Sequence, residues 1–151
     1  MHLHRQLSTL RRQARAGLPP ATVAAMDRMV AELKAAGVEL GALRAGMQAP
    51  DFALPNQVGR TVSLYDTLAG GPVVLLFYRG AWCPYCCAQL RAMQLVLPRL
   101  AGGGARLVAV SPELPDHSLS LAERHALDFD ILSDAGRSEE RRVGKECRSR
   151  W

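Results

Sequence analysis

The sequence predicts an α/β domain carrying an N-terminal helical extension, and three observations lead to that fold class. Val73-Val74-Leu75-Leu76-Phe77-Tyr78 is a continuous apolar, β-rich run of the kind carried by a strand covered on both faces. A helical pattern follows, with Leu90, Met93, Leu97 and Leu100 on one face and Gly102-Gly103-Gly104 as its stop. Two further short apolar runs, residues 106–110 and 129–132, alternate with a second helical segment. Strand, helix, strand, helix, strand is the series that builds a parallel sheet by crossovers.

Each element has its own warrant. Leu3, Leu7 and Leu10 predict a short first helix, broken by Gly17-Leu18-Pro19-Pro20. Residues 21–36 set Val23, Met26, Val30 and Leu33 along one helical face, and Gly37 is placed to end that helix. Together these form an extension over residues 1–45. A turn-rich link, 41–50, leads into a small hairpin of 51–54 with 60–64 around Pro55-Asn56-Gln57-Val58-Gly59. Residues 65–69 suit one helical turn. The run 73–78 is expected at the centre of the sheet, and the helix beyond it is expected from about Cys86, slowed by Pro98. Ser120-Leu121-Ala122-Glu123 has the form of a capping box that opens a short helix to His125. The main domain then covers 46–136.

With 151 residues, 48% of them apolar, the chain has enough material for one compact core. No apolar run approaches the roughly 18 to 20 residues that cross a bilayer. The opening segment lacks the apolar stretch and small-residue cleavage site of a secretory signal. A soluble, cytoplasmic protein is the expectation. The net charge of +5 sits at the two ends. Residues 1–15 hold four arginines and no acid, residues 137–151 hold six basic residues against three acidic, and the body between has nine basic against eleven acidic. A slightly acidic body argues against a nucleic-acid footprint.

Residues 137–151, RSEERRVGKECRSRW, break with everything before them: densely mixed charge and no apolar periodicity. The run resembles the conceptual translation of a widely used short-read sequencing adapter. On that reading it is a non-native tail, Cys147 is set aside with it, and the natural chain continued past Gly136.

The chemistry concentrates in Cys83, Cys86 and Cys87, three of the four cysteines within five positions, at the junction of a buried strand and a helix. A sulfur at a helix N-terminus meets unpaired backbone N–H groups and the positive end of the dipole, which favours thiolate over thiol. A second cysteine three residues on lies about one turn away, near enough to close a disulfide and store two electrons. Zinc is disfavoured because a structural site takes four ligands, no second CxxC is present, and His117 and His125 are expected on separate elements. A bridge closing so short a loop would also add little as a purely structural disulfide. Cys87 points along the helix away from Cys83 and suits a packing role. Arg79, just before the redox loop, reads equally as a support for a thiolate and as an exposed loop arginine.

The run VVLLFYRGAWCPYCCAQLRAMQ, preceded by Ala49-Pro50-Asp51-Phe52 and followed by LVAVSPELPDHS and FDILSD, resembles the alkyl hydroperoxide reductase/thiol-specific antioxidant superfamily, in its peroxiredoxin-like branch with a CxxC. The similarity spans about residues 46–136. It implies a thioredoxin-like fold, here cut short at its C-terminal end, and a thiol peroxidase that needs no cofactor or metal. Its implied partners are a hydroperoxide and thioredoxin or a similar thiol reductant; nucleic acid and membrane have no part, and a homodimer is compatible with it. The superfamily motif, Pro-x-x-x-Thr/Ser-x-x-Cys, sets its peroxidatic cysteine on Cys86, with Cys83 at the hydroxyl position and Arg79 at the proline. A thiol in place of that hydroxyl brings the site towards the thioredoxin or glutaredoxin pattern, in which Cys83 is the exposed attacker and Cys86 resolves. Both orders stay open at the level of sequence. Arg79, Trp82, Pro84 and Tyr85 are the residues expected to meet substrate. The family's activating arginine and cis-proline would fall beyond residue 136.

Overall fold

The computed structural model describes residues 2–136, the side chain of Glu39 excepted, so the tail at 137–151 lies outside the described residues. The described residues form two compact units, 2–50 and 51–136. The second begins at Asp51, whose carboxylate is tied into it by accepting the Tyr65 N–H at 2.9 Å.

In the first unit, α1 (Leu3–Ala16) and α2 (Pro20–Ala35) are followed by a 3₁₀ turn at Val38–Gly41. Pro20 stands at the first position of α2, where its missing N–H costs nothing and its fixed φ suits the helix. Gly37 leaves α2 in the left-handed region at φ 62°, the conformation that favours glycine after a helix end. Arg15 grips Asp27 with both guanidinium nitrogens, at 2.9 and 2.6 Å, and that hydrogen bond holds the Asp27 carboxyl below its ordinary pKa.

The second unit opens with β1 (Ala53–Pro55) and β2 (Thr61–Ser63), an antiparallel pair with Leu54 opposite Val62. Buried Asn56 closes the turn, its side-chain oxygen accepting the N–H groups of Val58 and Arg60 at 3.1 and 2.9 Å. The short α3 (Leu64–Leu68) is capped by Ser63, whose hydroxyl accepts the Asp66 N–H at 3.1 Å. Then come β3 (Val73–Phe77), α4 (Pro84–Gly102), β4 (Arg106–Ser111), α5 (Pro115–His125) and β5 (Asp130–Ser133). The strands form a parallel sheet in the order β3-β4-β5, with Leu75 opposite Val108 and Val110 opposite Leu132. Leu90 from α4 and Leu121 from α5 join Leu107, Ala109 and Ile131 of the sheet in one core, which also takes in Cys83 and Cys86.

Four expectations need correction. Among the described residues the centre of the sheet is β4, not the 73–78 run: β3 pairs with β4 alone and is half-buried throughout, whereas Leu107 to Ser111 are all buried. The helix after the redox loop starts at Pro84 rather than Cys86, because proline is well suited to the first helical position; it also runs on past Pro98, which lies on its exposed side. The capping box does not cap. Pro115 starts α5 earlier, and Ser120 instead donates its hydroxyl hydrogen to the Asp116 carbonyl at 3.0 Å, one turn back within the helix. His117 and His125 therefore share one helix rather than lying on separate elements.

Candidate active site

The site begins where β3 leaves the sheet. Tyr78 still bonds to it, N–H to the Val110 carbonyl at 3.0 Å, and from there the chain turns across the C-terminal edge into α4. Ligand sites in open parallel sheets gather at that edge. Gly80 makes the turn possible: a Cβ there would stand 2.5 Å from the Trp82 indole nitrogen and 2.8 Å from Glu113 Oε1. Its carbonyl accepts the Cys83 N–H at 3.1 Å, and the Cys83 carbonyl accepts the Cys87 N–H at 3.0 Å, the first bond of α4. Cys83 is thus the N-cap and Cys86 lies in the first turn, the arrangement that turns the helix dipole on both sulfurs.

The two thiols do not share an environment. Burial pushes the Cys83 thiol up, yet the Cys86 thiol and backbone N–H, together with the Arg79 guanidinium, outweigh it and set the pKa of Cys83 below the ordinary value. The Arg79 contact is direct, 3.1 Å from Nη2 to Cys83 Sγ. For Cys86, burial comes first and the hydrogen bond and charge of Cys83 add to it, so its pKa is raised despite help from the backbone of Arg79 and Gly80. Of the two sulfurs, Cys83 is therefore the one that gives up its proton more readily. All three described cysteines are free thiols.

Of the residues expected to meet substrate, Arg79 holds Cys83 and lies over the Trp82 ring, 5.1 Å from its centroid. Trp82 is 62% exposed, Pro84 is exposed at the head of α4, and Tyr85 is half-buried against the core. Neither cysteine of the pair is exposed: Cys83 is 0% exposed and Cys86 8%, so burial does not agree with the exposed position that the thioredoxin or glutaredoxin pattern gives Cys83. Cys87 packs as expected, with its thiol donating to the Ala81 carbonyl at 3.2 Å and burial, then the Cys83 charge, raising its pKa.

Two residues of the site escaped sequence reasoning. Glu113 accepts the Ala81 N–H on Oε2 at 2.8 Å, and the only sign of it in the sequence was an acidic residue just past a strand's C-terminal end. Tyr78 is buried beside Cys86 in the core, and burial raises the pKa of its hydroxyl against the opposing effect of the Ser111 and Ser118 hydroxyls. In the sequence it reads as the last apolar residue of a strand. No group of three histidine, cysteine or acidic side chains among the described residues is arranged to hold a metal.

Residues 45–146 match the model of the AhpC/TSA family. The chain belongs to that family. It is 35% identical over 92 residues to peroxiredoxin Bcp of Escherichia coli (strain K12), which covers 61% of this chain and 58% of the relative. The crystal structure of peroxidoxin BcpB from Mycobacterium tuberculosis superposes with a TM-score of 0.66 at 30% identity, covering 68% of this chain and 66% of that one. A Chlorobium tepidum chain described as a thiol:disulfide interchange protein DsbE gives a TM-score of 0.61 at 28% identity, over 70% of this chain and 73% of that one. This chain spans 58% of the length of the Escherichia coli protein. The α/β, thioredoxin-like fold that the resemblance implied is the fold it has. Among the described residues no helix is long and apolar enough to cross a membrane.

Proposed function

We propose that this chain reduces hydroperoxides through the Cys83/Cys86 pair, in the cytoplasm, with thioredoxin or a similar dithiol protein returning the electrons. The observation that carries the reading is the pair itself: two thiols one helical turn apart at a helix N-terminus, with the Arg79 guanidinium 3.1 Å from the Cys83 sulfur. Membership of the AhpC/TSA family supports it. Cys86, at the family's peroxidatic position and the more exposed of the two, attacks the terminal oxygen of ROOH while its proton passes to the Cys83 thiolate. The O–O bond breaks, Cys86 becomes a sulfenic acid, and RO⁻ takes a proton from solvent to leave as ROH. Cys83 then displaces water from the sulfenic acid to form the Cys83–Cys86 disulfide, and the external dithiol reduces it by exchange. Arg79, Trp82, Pro84 and Tyr85 are assigned to substrate contact, because they flank the pair in the loop and the first turn.

A second reading, a thiol–disulfide oxidoreductase in which Cys83 attacks, is favoured by one observation: the lowered thiol is Cys83 and not Cys86. Peroxide consumption by Cys83→Ser and Cys86→Ser, assayed separately, decides between them. Under the proposal Cys86→Ser abolishes turnover, and Cys83→Ser consumes one equivalent of peroxide and leaves a dimedone-reactive sulfenic acid on Cys86. The reverse pattern, with Cys86→Ser still attacking a disulfide substrate through Cys83 and being trapped as the mixed disulfide, moves the protein to the second reading.

A further inference from the structure

The peptide units of Ala81 are held from two sides by side chains that the chemistry of the pair does not use. On one side the Ala81 N–H donates to Glu113 Oε2 at 2.8 Å, from a residue 32 positions away in the chain. On the other the Cys87 thiol donates to the Ala81 carbonyl at 3.2 Å. Glu113 is itself placed by β4: its N–H donates to the hydroxyl of Ser111, the buried last residue of that strand, at 3.3 Å. Cys87 is placed by the first turn of α4, through its N–H on the Cys83 carbonyl. Between the two anchors the loop is tight, since Gly80 has no room for a side chain against Trp82 and Glu113. This segment carries Arg79, whose guanidinium reaches Cys83, and the Gly80 carbonyl, which takes the Cys83 N–H.

We infer that Glu113 and Cys87 are positioning residues of the redox pair, clamping Ala81 between the end of β4 and the first turn of α4 so that Arg79 stays on Cys83 and the loop stays closed over it. Cys87 is then a hydrogen-bond donor and not a third redox sulfur, a role its raised pKa suits by keeping the thiol protonated. The clamp depends on the Glu113 carboxylate as an acceptor rather than as a charge. A negative charge near the pair by itself would oppose thiolate formation, so neutralising it would favour the thiolate slightly. Losing the acceptor has the opposite sign, because it frees the loop and with it Arg79.

The inference rests on the proposed function only in taking Cys83 and Cys86 as the working pair, and its test uses no peroxide. The reduced full-length protein is alkylated with iodoacetamide across a pH series, and the modification of Cys83 is followed by mass spectrometry. The midpoint reports its ionisation, and the plateau at high pH reports its cover. Glu113→Ala and Glu113→Gln remove the same charge, but only the second leaves a side-chain oxygen for the Ala81 N–H. Glu113→Ala is expected to move the midpoint up by about one pH unit, roughly tenfold in thiolate fraction below both midpoints, and to raise the plateau. Glu113→Gln should stay within about 0.3 unit of the parent. Cys87→Ala should shift the midpoint in the same direction by less, and Cys87→Ser, which keeps an O–H donor, should restore it. That second pair asks the question from the other side of the peptide and decides it if Glu113→Ala does not fold. An unchanged midpoint and plateau in Glu113→Ala and Cys87→Ala, or a Glu113→Gln shift as large as that of Glu113→Ala, overturns the clamp while leaving the peroxidase reading to its own assay.

Discussion

β3 and β4 are neighbouring strands of almost the same character, five apolar residues in one and four in a row in the other, yet the sheet treats them differently. Every residue of β3 is half-buried, and it has a strand partner on one side only among the described residues. β4 is flanked on both sides, and Leu107 to Ser111 are all buried. The far side of the sheet is handled in a third way. There β5 is covered by the β1–β2 turn, with the Asn56 amide donating to Asp130 at 2.7 Å and the Gln57 side chain accepting the Ile131 N–H at 2.8 Å. The comparison teaches that hydrophobicity sets which segments can be strands, while neighbours set how much each contributes. It also shows a division of labour. The less covered strand feeds the redox loop, and the most covered one ends in Ser111 and Glu113, which hold that loop.

The largest effect expected from this contrast is on stability. Leu107→Ala in β4 should cost about 3 kcal/mol, within the usual 2 to 5 for a fully buried leucine, and Leu75→Ala in β3 about half as much. Urea unfolding with an unchanged m-value measures both, and equal losses would show that β3 is as deeply enclosed as β4. Next in size is Asn56→Ala. It removes the acceptor of two N–H groups and the donor to Asp130 at a buried turn, and should cost about 2 kcal/mol by the same measurement. A loss below about 0.5 kcal/mol would mean that the β5 side needs no such cover.

The pH predictions come from the loop ends of the two strands. Cys83 should alkylate with a midpoint below that of an ordinary thiol, about 8.5, and Cys86 with one above it. Reversal of that order in the parent protein would contradict the Arg79 contact. The linkage to stability has opposite signs for the two. Lowered Cys83 adds stability above its unfolded pKa that is lost as pH falls through the folded value. Raised Cys86 adds stability below its unfolded pKa that is lost as pH rises through the folded value. The two contributions oppose each other, so removing the Cys83 one with Cys83→Ser should make the urea midpoint fall more steeply between about pH 7 and about pH 10 than it does in the parent protein. The smallest effect is Leu95→Ala. This α4 residue is 83% exposed, so the change should stay within about 0.5 kcal/mol, marking the face of α4 that the sheet does not use.

Much of this molecule was readable along the chain, because the signals are local. The 73–78 run became β3, the leucine spacing on α4 and the Gly102-Gly103-Gly104 stop marked that helix, and Gly37 ended α2 in the left-handed conformation only glycine adopts freely. The Cys83-Pro84-Tyr85-Cys86 turn was likewise legible as redox chemistry, since a cysteine pair at a strand-to-helix junction needs nothing remote to be recognised. Where local signals competed, the reading failed: the Ser120 capping pattern lost to Pro115, whose ring starts a helix more firmly than a serine five positions on. Which strand is central was decided only by tertiary structure, because pairing depends on segments far apart in sequence. The burial of Cys83 beneath its own loop and the opposite pKa shifts of two cysteines one turn apart were decided there too. So was Glu113: nothing about an acidic residue after a strand says that it meets Ala81, and only the parallel register of β3 beside β4 sets their ends side by side.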